Sequence, residues 1–440
     1  MRRSALLWIL AVIFTASTWI YVQYVLVAHQ RAAAATKGIP RGNLSDLYPR
    51  WLGARELLLH GRNPYRDDIT REIQIGYYGR VLDASRPNDP KDQQAFAYPI
   101  YVVLMIAPTV SLPFATVSKF VFWIFAVLTA LSVPLWLRTL GWRISLSRKI
   151  AWTLLTLGWF PVVQGLRLQQ LTVLVAALVA LGMSAIVGRR LVLAGVLLAA
   201  ATIKPQLVFL LPLWLCLWAT GNWRERQRIV WSFCVTVAVL VAVGEWLVPG
   251  WIREFRTALG AYYTYTGGAG SMLDVLLSKR VGSVVSLILV SVFLSFAWRV
   301  RRARETTAEF QWVCCFLLAT TLLVIPSFGT YNQILLLPAC MILLRGAKNS
   351  WHRGWLQKTF LAIVAGSLFW SYLAASLLAV ALLFLPGTTV QRAWGLPLYL
   401  VFAVPILIYA TLLVVRKDLL REPDGATDRL PALQPNAAAE

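Results

Sequence analysis

Residues 191–219 read LVLAGVLLAAATIKPQLVFLLPLWLCLWA. The stretch from Leu191 to Ala219 is apolar enough to lie in a bilayer, yet it carries one charge, Lys204, near its middle. A cation facing lipid at that depth costs about 2.5–3.5 kcal/mol even on the mild insertion scale. Lys204 must therefore face protein, water or an anion. The run is too long for one span, and Pro205 interrupts it. Two short helices meeting at a polar elbow are predicted.

The rest of the chain places that elbow in a membrane. With 58% hydrophobic residues and 20 Trp in 440 residues, the composition excludes a soluble globule with a single core. An all-α polytopic membrane protein is expected. The formal charge of +23 would suggest nucleic acid in a soluble protein, but here the Arg and Lys cluster in short loops between apolar runs. That is a topology signal, and no nucleic-acid partner is expected. The clusters are Arg2-Arg3, Arg138 to Lys149, Arg189-Arg190, Arg224 to Arg228, Arg299 to Arg304, Arg345 to Lys358 and Arg416-Lys417, all assigned to the cytoplasm. Cys216, Cys234, Cys314, Cys315 and Cys340 fall inside apolar runs and form no CxxC pair, and His29, His60 and His352 have no ligand spacing. Neither a metal nor a cofactor is expected.

With the basic loops inside, each pair of apolar runs between them forms a hairpin with its tip outside. The tips are Gln164 to Gln170, Thr202 to Gln206, Val248 to Lys279, Ser327 to Gln333 and Pro386 to Gly395. The expected organisation is a first transmembrane helix over 1–28, an uncleaved anchor. An extracytoplasmic loop over 29–95, a bundle over 96–415 with an outward-facing site, and a disordered cytoplasmic tail over 416–440 follow. Parity requires Tyr98 to Phe114, with Pro99, Pro108 and Pro113, to be re-entrant or interfacial. That leaves about twelve transmembrane helices and both termini in the cytoplasm. In the outer loop Leu47, Trp51, Ala54 and Leu58 recur at helical spacing, with Arg50, Arg55 and Glu56 elsewhere around the helix. This predicts an amphipathic helix on the membrane surface, ending at His60-Gly61.

Asp46 stands at the N-terminal edge of that helix and can either cap it or serve as a base. Lys204 lies at the opposite end of its segment from Arg190 and Arg224, so snorkelling to a basic boundary does not explain it; an anion does. Arg167, between two short helices, is a second anion candidate. Gln169-Gln170 and Asn332-Gln333 can satisfy helix ends or line a site. Tyr262-Tyr263-Tyr265 read as membrane anchors that could also stack on sugars, Glu245 as interfacial, and Gly267 to Gly270 as a flexible turn.

In order, Asp46-Leu-Tyr48, Gly61-Arg-Asn-Pro64-Tyr65, Phe96-Ala-Tyr98-Pro99, Gln169-Gln170, Lys204-Pro205-Gln206, and Pro326 with Tyr331-Asn-Gln-Ile-Leu-Leu-Leu-Pro338 resemble glycosyltransferase family 87. The resemblance covers roughly Asp46 to Pro338. It implies a GT-C-type bundle with a helical first outer loop. It also implies a hexosyltransferase, of mannosyltransferase type, that takes sugar from a polyprenyl phosphate, with Asp46 matching the family's general base. Lys204 and Arg167 would hold the donor phosphate, and Tyr98, Gln169, Gln170, Gln206, Tyr331 and Asn332 would contact substrate. The expected partners are the lipid-linked donor, a glycan or glycolipid acceptor and membrane lipid, in the plasma (inner) membrane. The competing reading is a transporter or lipid flippase, which expects polar sites near the midplane and inverted repeats.

Overall fold

The computed structural model describes residues 2–36, 45–83, 85–265, 270–326 and 329–421. The expected glycine turn at 267–269, Ser327 in the tip before Tyr331, and the tail beyond residue 421 lie outside the described residues. Among the described residues the regular structure is all helical, apart from an isolated bridge between Ser271 and Pro326.

The first helix is longer than expected. Arg2–Ile20 continues through a π-helical segment, Tyr21–Leu26, into Val27–Thr36, well past residue 28. The run Ala32 to Ala35 sustains it, since alanine has the highest helix propensity. Among the described residues, five helices are long and apolar enough to cross a membrane: Leu6–Thr36, Phe114–Thr139, Trp223–Leu247, Lys279–Arg299 and Trp355–Ala381. A sixth is added if Phe160–Arg167 and Leu171–Val187, bent by 117°, count as one broken span. The expectation of about twelve is not met by length and composition, because other apolar runs form shorter helices such as Leu191–Ile203, Leu210–Thr220 and Ala308–Val324. Leu171–Val187 and Ala308–Val324 are buried on nearly every face. Their uniform apolarity reflects neighbouring helices as much as lipid.

The break at Lys204 forms as predicted: Leu191–Ala200 runs into a 3₁₀ turn, Ala201–Ile203, and after Lys204 a second turn, Pro205–Leu207, leads to Leu210–Thr220. At about 1.5 Å per residue, Leu191–Ile203 is roughly 20 Å long, shorter than a ~30 Å hydrocarbon core. Gly195 fixes this segment against Trp223–Leu247: a Cβ there would lie 1.9 Å from Ser232 Oγ and 2.6 Å from the Ile229 carbonyl oxygen.

Tyr98 to Phe114 contains only the helix Val102–Ile106 and a turn, Ala107–Thr109, too short to cross. It supports the outer-loop helix Tyr48–His60, whose Trp51 Nε1 and Arg55 Nη1 donate to the Thr109 and Val110 carbonyls at 3.3 and 2.9 Å. That helix is packed into protein, with Leu47, Trp51, Ala54 and Leu57 buried. Two expected faces are reversed: Glu56 is buried and Leu58 exposed. The reason is the left-handed Gly61 (φ 65°), which turns Arg62 back under the helix. Arg62 then reaches Glu56 at 2.9 Å, Asp68 at 2.9 Å and Glu72 at 2.6 Å, pinning the helix Asp67–Tyr78 alongside.

Candidate active site

The bend between Phe160–Arg167 and Leu171–Val187 builds one wall of a cavity. Gln169 adopts a left-handed conformation there, with φ 51°. The reversal sends adjacent amides opposite ways. Gln169 Nε2 donates to the Ser118 carbonyl and hydroxyl at 2.6 and 2.7 Å, whereas Gln170 turns towards the outer loop. The Asp46 backbone N–H donates to the Leu168 carbonyl at 2.9 Å, so the same bend holds the carboxylate in place.

Gln170 joins the two charges that stand out in the sequence. Its Nε2 donates to Asp46 Oδ2, and its Oε1 accepts from Lys204 Nζ at 3.1 Å. A side-chain amide suits this position because it carries a donor for the anion and an acceptor for the cation. The Lys204 ammonium also donates to Thr172 Oγ1 at 2.8 Å, Thr172 donates to Asn332 Oδ1 at 2.9 Å, and Nζ lies 5.0 Å from the Tyr331 ring centre. Lys204 is 5% exposed and faces protein, as its cost in lipid requires. Asp46 does not cap the outer-loop helix with its side chain. Its other oxygen accepts from Tyr77 at 3.4 Å.

Asp46, Gln170 and Lys204 line a cavity of about 110 Å³ together with Tyr98, Gln206, Tyr331 and Asn332. The lining also includes side chains that the sequence does not mark as site residues, among them Arg50, Asp92, Gln94, Tyr262 and Tyr263. The Arg50 guanidinium stacks 4.4 Å above the Tyr98 ring and donates to the Asp46 carbonyl, while its buried Nε has no hydrogen-bond partner among the described residues. Tyr262, read above mainly as a membrane anchor, donates to Asp92 Oδ1 at 3.3 Å, and Gln94 Nε2 donates to Asp92 Oδ2 at 2.8 Å. The cavity therefore holds two carboxylates and two cations. Burial pushes the Asp46 carboxyl above its ordinary value; Arg50 opposes this, Asp92 adds to it, and the Gln170 and Lys204 contacts oppose it.

Arg167 and Gln169 do not line the cavity. Arg167 Nη1 donates to Gln23 Oε1 of the first helix at 2.6 Å. Gln333 is turned to the Val401 carbonyl at 2.7 Å, and Glu245 closes a local turn by accepting from the Gly250 N–H at 2.7 Å. The cation paired with Lys204 across the cavity is Arg50. Arg50→Gln is accordingly expected to weaken binding of an anionic substrate by about tenfold or more, the scale of one charge-assisted hydrogen bond, and Arg167→Gln by much less. Equal losses in a substrate titration would restore Arg167 to the site.

A carboxylate with a raised affinity for protons, beside two cations in a recessed pocket, can deprotonate a hydroxyl while an anionic leaving group is held nearby. A family model, glycosyltransferase family 87, matches residues 96–326. No curated protein and no solved structure matches the chain. The matched region contains Tyr98, Gln170, Lys204 and Gln206. Asp46 and Arg50 precede it, and Tyr331 and Asn332 follow it; Asp46 is tied to it by the Gln170 and Leu168 bonds, Asn332 by Thr172.

Proposed function

On the premise that this chain belongs to glycosyltransferase family 87, and is therefore a membrane glycosyltransferase, we propose that it transfers a hexose, mannose, from a polyprenyl-phosphate sugar to an acceptor hydroxyl on the extracytoplasmic side of the plasma (inner) membrane. The observation that carries this reading is the pairing of Asp46 and Lys204 on one amide, that of Gln170, in a pocket recessed between apolar helices. A lipid-phosphate donor suits such a pocket because its tail stays in the bilayer while its phosphate reaches Lys204 and Arg50. Asp46 takes the proton from the acceptor hydroxyl as the oxygen attacks the anomeric carbon. The bond from that carbon to the phosphate oxygen breaks, and the electron pair leaves on the phosphate, where the two cations stabilise the charge. Direct displacement inverts the anomeric carbon, so a β-linked mannosyl phosphate yields an α-mannoside. Tyr98, Gln206, Tyr331 and Asn332 are left to contact sugar and acceptor. Membership of a glycosyltransferase family speaks against the transporter reading.

The decisive experiment incubates purified protein with a panel of polyprenyl-phosphate sugars and an acceptor extract, and measures released polyprenyl phosphate. Release from the mannosyl donor is expected; release from another sugar alone would overturn mannose, and release from no member of the panel would overturn the donor assignment. The side of the membrane is tested by cysteines at Asn88 and Lys348: a membrane-impermeant thiol reagent in intact cells is expected to label the first and not the second. The reverse pattern would turn the site towards the cytoplasm.

A further inference from the structure

A second concavity lies at the other end of the segment that carries Lys204. It is a cleft of about 730 Å³ between the starts of Leu191–Ala200 and Trp223–Leu247. Arg189, Arg190, Arg224 and Arg228 rim it, and Val192 and Val196 stand exposed on its apolar wall. The rim is not internally neutral. Arg189, held in a left-handed backbone conformation with φ 56°, bonds Glu225 at 3.0 Å and lies 3.7 Å from Glu305. Those carboxylates are thereby engaged, and Arg190, Arg224 and Arg228 form no ion pair among the described residues. Three guanidinium groups without ion pairs, lining the same cleft as exposed valines, form an amphipathic receptor, with forked donors for phosphate oxygens and an apolar wall for a chain.

From this juxtaposition we infer that the cleft is a binding site for one anionic phospholipid of the surrounding bilayer, on the membrane face opposite the Asp46 cavity. Arg190, Arg224 and Arg228 hold the headgroup phosphate, and an acyl chain lies along Val192 and Val196. A free phosphate would satisfy the arginines alone and leave the valines uncovered, whereas a phospholipid satisfies both. Nothing in this assignment depends on which sugar or acceptor the Asp46 cavity takes.

The test titrates the full-length protein in detergent with phosphatidylglycerol or phosphatidylcholine of identical acyl chains, followed by native mass spectrometry. Phosphatidylglycerol is expected to bind about tenfold tighter or better, as several basic residues near one headgroup imply. The triple variant Arg190→Gln, Arg224→Gln, Arg228→Gln should lose that preference. The charge-matched control Arg302→Gln, Arg304→Gln, Lys348→Gln should keep it. Lysine at the three cleft positions should retain most of it, which guards against loss of fold in the glutamine triple. Equal loss in the control would reduce the cleft to general cytoplasmic-loop charge and overturn the site. Inorganic phosphate binding as tightly as the lipid would overturn phospholipid as the occupant.

Discussion

Asp46→Asn is expected to lower sugar transfer by about 10²- to 10⁴-fold, the usual contribution of a positioned general base, while leaving donor binding and folding nearly unchanged. The substitution keeps the size of the side chain and an oxygen to accept from Gln170 or Tyr77, and the backbone bond from residue 46 to Leu168 is untouched. The same residue sets an expected pH dependence. Burial holds the Asp46 carboxyl above its ordinary 3.8, so the proton-accepting form is lost as pH falls through that raised value. The acid limb of kcat/KM should therefore lie above the ordinary carboxylate range and should vanish from the residual activity of the Asn variant. Activity above roughly a tenth of the parent protein, or an unchanged acid limb in the variant, would assign the base elsewhere, with Asp92 in the same cavity as the next candidate.

Lys204→Gln is expected to raise the donor Kd by about 10- to 150-fold, equivalent to losing a charge-assisted contact of about 1.5–3 kcal/mol. A glutamine amide can still donate towards Gln170 and Thr172, so the change removes charge more than hydrogen bonding. The cavity is then left with Asp46 and Asp92 against Arg50 alone, a balance that repels a phosphate. Lys204→Arg should recover only part of the loss. The guanidinium keeps the charge but is broader, and the space beside Tyr331 and Thr172 is small. Isothermal titration with a non-hydrolysable polyprenyl-phosphate sugar analogue measures both variants. Unchanged affinity in the Gln variant would remove Lys204 from the donor site.

The break at Lys204 was legible from local sequence, because a charge and a proline inside an apolar run leave few physical solutions. The membrane class followed from composition in the same way. The number of full spans did not, because hydropathy cannot distinguish a helix apolar towards lipid from one apolar towards other helices. Ala308–Val324 is the second kind, buried on nearly every face.

Within the site, sequence order carried Asp46, Tyr98, Gln170, Lys204, Gln206, Tyr331 and Asn332 to one cavity. It could not say which of two adjacent glutamines points inward, since that turns on the left-handed backbone at Gln169. Nor could it exchange Arg167 for Arg50. Helical periodicity in the outer loop suggested a surface helix with Arg50 off its apolar face, but the helix is clasped by the segment Tyr98 to Phe114 and by the Arg62 ion pairs, so that Arg50 enters the cavity over Tyr98. Residue chemistry along the chain thus determined that a buried cation and an outer-loop carboxylate had to be accommodated. Which side chains surround them was decided only by tertiary structure, because the contacts that aim Gln170, Arg50, Tyr262 and Arg167 involve partners distant in sequence or backbone conformations that no local pattern encodes.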